Sequence, residues 1–467
     1  MNPQTQLIVA ANYLETLTSL KKYFSSGNTR SYEFRRKQLL LLRQSILDHE
    51  EEIYQALYKD LHKSREEVWV TELGIVIAGI NEALAKLKKW MKPERVMTNL
   101  LNIPSSSRIL KEPLGVVLIV APWNYPFQLL MNPLVGAIAA GNCVVVKPSE
   151  YASATEAVMG RIIHSIFSAE YVFFVQGDGA ETVPALMNTF RFDHVFYTGS
   201  TSVGRAVYKM AADKLVPVTL ELGGKSPCVV TKNANIDVAA RRIALSKFSN
   251  VGQMCIAPDY VLVHESKRQS LQDALIKAIL RFFGDDPLQS EEYGRIINEK
   301  QFDRLIAYLS EGEVIAGGKY IRDELYISPT IIVNPESNAK IMKEEIFGPL
   351  LPVITFSTNE EAKQIISENP DPLAFYLFTQ DRDEEIEWLN DVPFGGGCVN
   401  NTALHFTNSR LPFGGRGNSG IGNYHGKFTF DTFSHHKSIL KTPTWLDPSI
   451  KYPPFKGKLN LFKKIIR

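Results

Sequence analysis

The chain has 467 residues, 45% apolar and 22% charged, the composition of an ordinary soluble globular protein long enough for about two to four domains. Its net charge of +2 gives no global reason to expect a nucleic-acid partner. Four cysteines without paired spacing exclude a disulfide framework and a zinc knuckle. The start Met1-Asn-Pro-Gln-Thr5 lacks the basic opening and apolar core of a signal peptide, so a cytoplasmic setting is expected.

Leu39, Leu42, Ile46, Ile53, Leu57 and Leu61 recur at three- and four-residue steps with Arg and Glu between them. That spacing predicts helix from about 28 to 63, and a second helical stretch follows over 64–90. Lys92-Pro93 and Ile103-Pro-Ser-Ser-Ser107 read as a connector. No uninterrupted apolar run approaches the ~18 residues of a membrane span. Residues 134–146 come nearest, and Gly136, Gly141 and Asn142 break that run.

After Lys111-Glu-Pro-Leu-Gly115 the pattern changes. Continuous apolar runs at 116–120, 144–146, 172–175 and 194–197 alternate with helical segments at 129–140, 154–167 and 182–188. Such runs suit parallel strands buried on both faces, and the alternation predicts a doubly wound α/β sheet. Ligands of these sheets sit beyond the carboxyl ends of the strands. That singles out Pro122-Trp-Asn124, Lys147-Pro-Ser-Glu150 and Thr198-Gly-Ser-Thr-Ser-Val-Gly204. The second half repeats the mixture, with strands expected at 227–230, 260–263 and 351–354 and a helix at 269–283.

Cys255 lies in Asn250-Val-Gly-Gln-Met-Cys-Ile-Ala-Pro258, an irregular composition suited to displaying a thiol. A lone intracellular cysteine is more often a small buried hydrophobe, so the loop alone does not make it a nucleophile. Gly199 and Gly204 frame a turn that opens a helix, whose backbone N–H groups suit a dinucleotide pyrophosphate. The spacing is G-x-x-x-x-G rather than G-x-G-x-x-G, and many helices begin with Gly-Ser by capping preference alone. Lys147 and Glu150 form either a solvated turn or contacts to an adenosine ribose. In the second case Glu150 would repel a 2′-phosphate and favour NAD over NADP. Glu221, between two leucines, is either on a solvated strand face or a desolvated carboxylate able to act as a base towards water. Asn124 is a turn residue unless it lies beside a thiol, where its amide can hold an oxyanion.

Together these segments resemble the aldehyde dehydrogenases. The matching motifs are Pro122-Trp-Asn124, Lys147-Pro-Ser-Glu150, Thr198–Gly204, Leu220-Glu-Leu-Gly-Gly-Lys225, Gly252-Gln-Met-Cys255, Glu344-Glu-Ile-Phe-Gly-Pro349 and Pro412-Phe-Gly-Gly415, in family order over nearly the whole chain. Lys111-Glu-Pro113, Trp123-Asn-Tyr-Pro-Phe-Gln128, Leu404-His-Phe-Thr407, Tyr424-His-Gly-Lys427 and Phe430-Asp-Thr-Phe-Ser-His435 look like its class 3 and fatty-aldehyde branch. The resemblance implies an α/β architecture with a Rossmann-type cofactor domain (1–95 and 113–222) and an α/β catalytic domain (223–418). A small bridging and oligomerisation element (96–112 and 424–440) and a basic tail (441–467) would complete it.

It further implies that Cys255 attacks the aldehyde, that Asn124 and the Cys255 N–H hold the oxyanion, and that Glu221 activates water against the thioester. Lys147, Glu150, Gly199, Ser200 and Gly204 would hold the adenosine and pyrophosphate side of NAD, with NADP also accepted. Glu345 and Phe347 would hold the nicotinamide ribose, and no metal is implied. Ser200 stands where the branch carries Asn. The branch suggests medium- or long-chain aliphatic or aromatic aldehydes, with Tyr125 and His405 lining the substrate, and a homodimer. A CoA-acylating enzyme is a second reading, against which Glu221 speaks. An idle scaffold is a third, against which the intact Cys255, Glu221 and Asn124 speak. In the tail, Phe455, Leu459, Leu461, Phe462, Ile465 and Ile466 alternate with Lys456, Lys458, Lys463, Lys464 and Arg467. A basic amphipathic segment can lie on an anionic membrane. So short a tail is more often solvated or packed on a subunit, so membrane contact is expected to be peripheral at most.

Overall fold

Ser31 opens the core helix Tyr32–Asp48 by accepting the Phe34 N–H at 3.1 Å, a side-chain cap for an otherwise orphan donor. A computed structural model describes residues 3–466, with side chains from Tyr13 onwards apart from Ile465. Met1, Asn2 and Arg467, which the readings of the start and the tail included, lie outside the described residues. The single helix expected over 28–63 is two, Tyr32–Asp48 and Glu50–Leu61. They part at His49, whose φ and ψ of −105° and 14° leave the helical region. Leu39, Leu42, Ile46, Ile53, Leu57 and Leu61 are all fully buried, so the apolar stripe runs across the break and conceals it.

The second stretch is helical over Arg65–Trp90, with one π turn at Trp69–Leu73. By length and composition it could cross a membrane, which corrects the expectation that 134–146 comes nearest. Val68, Leu73, Val76, Ile80, Ala83, Leu87 and Trp90 are buried against the core. Glu72 is buried too and accepts from the Lys63 ammonium at 2.7 Å.

The predicted alternation builds a six-stranded sheet in the order Gly420–Ile421, Val218–Glu221, His194–Thr198, Val116–Val120, Cys143–Lys147, Val172–Phe174. All pairings are parallel except that of Gly420–Ile421. Every residue of Val116–Val120 and Cys143–Lys147 is buried, each apolar one worth roughly 1.5–3 kcal/mol relative to exposure. The register sets Val120 opposite both Tyr197 and Lys147, and Thr198 opposite Glu221. The carboxyl ends are thereby aligned, and the segments after them emerge along one edge.

A seven-stranded sheet runs Glu313–Ala316, Thr330–Val333, Leu350–Phe356, Tyr260–His264, Pro227–Val230, Ala374–Phe378, Gly396–Val399. Only the Glu313–Ala316 pairing is antiparallel. A third sheet, antiparallel throughout, joins Glu94–Val96, Ser106–Pro113 and Ser434–Lys441. Its last strand is continued by the tail, which ends in the short helix Leu459–Ile465. The Cys255 segment links the helix Ile236–Phe248 to the strand Tyr260–His264. The antiparallel pair Gly420–Glu221 brings the late chain back onto the end of the first sheet.

Candidate active site

Cys255 is presented by a backbone that few sequences adopt. Asn250, Val251 and Gly252 have φ of 47°, 55° and 72° in succession. A β-carbon at Gly252 would overlap the Gly348 carbonyl, so glycine is required there. Val251 is β-branched, and left-handed backbone is unfavourable for it unless surrounding contacts over-determine the shape. Those contacts are polar. The Asn250 N–H donates to Glu67 at 2.8 Å, and its amide donates to the Asn124 and Gln253 carbonyls at 2.7 and 3.1 Å. The Gln253 amide donates to the Asn250 and Arg295 carbonyls and accepts from the Ile297 N–H at 3.0 Å. Asn250 and Gln253 were read from sequence only as marks of irregular structure; here they are the clamp.

Asn124 is 2% exposed. Its side chain donates to the Gln253 carbonyl at 3.0 Å, and its own carbonyl accepts from Lys63 at 3.1 Å. One amide N–H is thereby spent on orientation, and the second has no protein acceptor among the described residues. The pair Lys63–Glu72 supports this placement from beneath, since Glu72 also accepts the Gln128 N–H at 2.9 Å. Nothing in the local sequence signals that pair.

Glu221, at the end of Val218–Glu221, is 3% exposed and neither carboxylate oxygen has a protein partner. Burial raises its pKa well above the usual carboxylate range, so of the two sequence readings the desolvated one holds. Burial likewise raises the Cys255 thiol, and the carboxylates of Glu345 and Glu221 add to the rise. The thiol, the amide and the dry carboxylate all line one cavity of about 810 Å³. Trp123, Phe347, Gly199 and Ser200 line it too, as do Glu345, Tyr125 and Tyr424. Apolar walls come from Val70, Leu129, Leu245, Met254, Leu404 and Phe413.

The cofactor candidates divide. Ser200 caps the twelve-residue helix Thr201–Ala212, accepting the Val203 N–H at 3.4 Å, and the Gly199 N–H donates to the Glu221 carbonyl at 3.0 Å. Gly204 is buried and does not line the cavity. A β-carbon there would overlap Leu222, so it serves the close approach of helix to strand. Lys147 and Glu150 also lie outside the lining, at the end of the neighbouring strand. The Lys147 ammonium donates to the Pro148 carbonyl at 2.5 Å and to Glu150 at 3.1 Å. Burial disfavours the Glu150 carboxylate, but its own N–H, the Gly179 N–H and Lys147 outweigh that and hold its pKa below the usual value.

Glu345 packs over Gly223, where a β-carbon would overlap the carboxylate. Its Oε1 is buried without a partner. Burial, helped by Asp259, pushes its pKa up to about 8, against the Gly224 N–H, Lys225 and Arg304. Arg304 donates to the Glu345 and Ile346 carbonyls at 3.1 and 2.7 Å. Asp259, paired with Lys225, accepts the Ile346 N–H at 3.0 Å. A capped helix start and an orphan carboxylate oxygen on the cavity wall fit a dinucleotide lying along this edge.

His405 does not line the cavity. Its Nδ1 lies 3.6 Å from the Cys398 thiol, its ring stacks on Phe413, and burial lowers its pKa to about 4. The 3₁₀ turn Leu404–Thr407 sends Leu404, Phe406 and Thr407 to the cavity, and His425 is the histidine on its wall. Tyr125 lines it as expected.

A doubly wound sheet whose strand ends open onto a thiol, a side-chain amide with an uncommitted N–H and a dry carboxylate has a layout suited to an oxidoreductase that works through a covalent thiol adduct. Residues 5–439 match the aldehyde dehydrogenase family, and the chain belongs to that family. It is 45% identical over 449 residues, 96% of this chain and 97% of the relative, to the 4,4'-diaponeurosporen-aldehyde dehydrogenase of Staphylococcus aureus (strain NCTC 8325 / PS 47). It is 43% identical over 449 residues, 96% of each chain, to aldehyde dehydrogenase family 3 member B1 of Rattus norvegicus. A solved structure of the substrate-bound state of Staphylococcus aureus AldH matches with TM-score 0.95 and 44% identity, covering 97% of this chain and 99% of that one. The family 3 relatives agree with the branch that the motifs resemble. The protein is an aldehyde dehydrogenase, oxidising aldehydes to acids with NAD(P).

Proposed function

We propose that this enzyme oxidises medium- or long-chain aliphatic or aromatic aldehydes, with Cys255 as nucleophile, Asn124 as oxyanion donor and Glu221 as general base, and that it prefers NAD. The observation that carries the reading is the common cavity of Cys255, Asn124 and Glu221 behind apolar walls. A relative 45% identical is named for the 4,4'-diaponeurosporen aldehyde, which supports an apolar substrate.

The Cys255 thiol loses its proton to water as its sulfur adds to the aldehyde carbon, and the new oxyanion receives hydrogen bonds from the free Asn124 N–H and the Cys255 backbone N–H. Gly199, Ser200, Glu345 and Phe347, with Lys147 and Glu150 beyond them, would hold NAD(P), which supplies hydride-accepting chemistry when bound, so that the Cys255 adduct would be oxidised to a thioester. Glu221 takes a proton from water, whose oxygen attacks the thioester; the C–S bond breaks, releasing the acid and restoring the sulfur. A carboxylate with no protein partner is free to do this, and its raised pKa makes it the stronger base. Glu150, held ionised, would meet a 2′-phosphate with like charge.

Division into a cofactor domain (1–95 and 113–222), a catalytic domain (223–418), a bridging element (96–112 and 424–440) and a tail is supported by the three larger of the four sheets, apart from Gly420–Ile421, which crosses onto the first sheet. A homodimer paired through the bridging element belongs to the same proposal, with sedimentation velocity as its check. A cytoplasmic setting is supported by four free cysteines, and cell fractionation tests it. For the chemistry, Cys255→Ser is expected to abolish reduced-cofactor formation with every aldehyde while NAD binding by calorimetry survives. Retained turnover would remove the thiol from its role.

A further inference from the structure

The motif Tyr424-His-Gly-Lys427 carries a hydroxyl that the chemistry above does not use. The late strand Gly420–Ile421 pairs with Glu221 and Leu220, and just beyond it Tyr424 lines the same cavity as Cys255, Asn124 and Glu221. Its backbone exchanges two hydrogen bonds with Phe413, at 3.1 and 2.8 Å. Its ring meets Phe413 edge to face at 5.7 Å between centroids and Phe196 at 5.1 Å. The side chain is thereby fixed in place, and Tyr424 is only 2% exposed.

A tyrosine hydroxyl so deeply placed ordinarily finds a hydrogen-bond partner. That of Tyr424 has none in the protein among the described residues. Burial, then the neighbouring charges of Glu221 and Cys255, raise its pKa well above the ordinary value, so the hydroxyl keeps its proton and can donate. Its surroundings are short of partners as well. Both Glu221 oxygens are unpaired, and so is the hydroxyl of Thr198, which stands opposite Glu221 in the ladder and lines the same cavity. A buried water needs two to four polar partners, and an acid and two hydroxyls left unpaired behind apolar walls supply them.

We propose that the Tyr424 hydroxyl holds the water that Glu221 activates against the Cys255 thioester, which makes Tyr424 a further catalytic residue. The water donates one hydrogen bond to the Glu221 carboxylate and accepts one from the Tyr424 O–H, and a lone pair remains for the acyl carbon. As the water oxygen attacks, its proton passes to Glu221 and the C–S bond breaks. The Tyr424 hydroxyl keeps its own proton throughout. Addition of the thiol to the aldehyde and oxidation to the thioester come before this water, so the hydroxyl has no part in them. Tyr424 can act in this way only if Glu221 is the base, so the two residues are tested side by side.

Tyr424→Phe removes one oxygen and no protein hydrogen bond, so its thermal midpoint is expected to match wild type. With a water-soluble aldehyde and NAD, kcat is expected to fall roughly ten- to a hundredfold, the scale of a misplaced reactant. KM should fall with it and leave kcat/KM unchanged, because the steps up to the thioester are untouched. Rapid mixing should then give a burst of reduced cofactor at the wild-type rate, and mass spectrometry of the quenched protein an acyl adduct on Cys255. A merely structural defect would lower kcat/KM and the burst rate instead. Wild-type kcat without a burst, or a loss that falls on kcat/KM, would overturn the role of Tyr424. Glu221→Gln in parallel separates the two residues. An acyl adduct there with none in Tyr424→Phe removes Tyr424 alone, whereas wild-type kcat and no adduct in Glu221→Gln remove the base and the water site with it.

Discussion

Replacing Glu221 by Gln keeps the shape of the side chain and removes its ability to take a proton. Because neither oxygen of Glu221 bonds to protein, the change should leave the Cys255 loop and the cofactor turn undisturbed. Steps before water attack are then expected to proceed, and hydrolysis to slow by roughly 10²–10⁴-fold, the usual worth of a positioned base. Rapid mixing with aldehyde and NAD should give a burst of about one reduced cofactor per site, in the manner of accumulating acyl-enzyme, followed by a slow steady state. Mass spectrometry of the quenched protein should find an acyl adduct on Cys255. The same variant has a thermodynamic signature. The folded pKa of Glu221 is raised by burial, so the native state binds more protons than the unfolded chain. Wild-type stability from this group is therefore fully present below the unfolded pKa and declines as pH rises towards the folded one, by up to about 1.36 kcal/mol per pH unit. The Gln variant lacks that decline and should be the more stable protein at neutral pH, with the gap closing in acid. An unchanged steady-state rate with no adduct would refute the assignment of the base; a variant less stable than wild type at pH 7 would refute the claim that its carboxylate is dry and unpartnered.

Asn124→Ala should lower kcat by roughly 10²–10³-fold, with a smaller loss in thermal stability from the broken bond to the Gln253 carbonyl, read by kinetics and calorimetry on the same sample. Lys63→Met leaves Glu72 charged or protonated in the core without its ion partner, at about 3–5 kcal/mol. A thermal midpoint within a degree of wild type would contradict the burial of the pair. Glu150→Ala should raise kcat/KM with NADP relative to NAD by about tenfold or more, since a like charge near the ribose is removed; an unchanged ratio would take Glu150 away from the ribose.

The strands were legible because a strand buried on both faces writes itself into consecutive residues, as in Val116–Val120 and Cys143–Lys147. From those strands the positions of Asn124 and Ser200 follow, because segments after parallel strands share an edge. The role of Glu221 came from the family resemblance, and the residues alone left open a solvated or a desolvated carboxylate; only the structure shows that its oxygens are dry. What stayed hidden depends on distance along the chain or on one turn. Asn250 and Glu67 are 183 residues apart, and no local pattern links them. The break at His49 left the apolar stripe intact. His405 and His425 exchanged places because a 3₁₀ turn beginning after Ala403, at φ 57°, decides which side chains reach the cavity.

The left-handed run Asn250–Gly252 is held by Glu67 and Asn124 from early in the chain and by Gln253, itself bound to the Arg295 carbonyl and Ile297 N–H. Glu221 is flanked in its ladder by Gly420–Ile421, and Tyr424 and His425 from beyond that strand close the wall. During synthesis from the amino terminus, then, the thiol exists long before the machinery that would make it reactive. A growing or truncated chain carries Cys255 without its clamp and without the closed cavity wall, and catalysed aldehyde oxidation begins only when almost the last strand has joined the sheet.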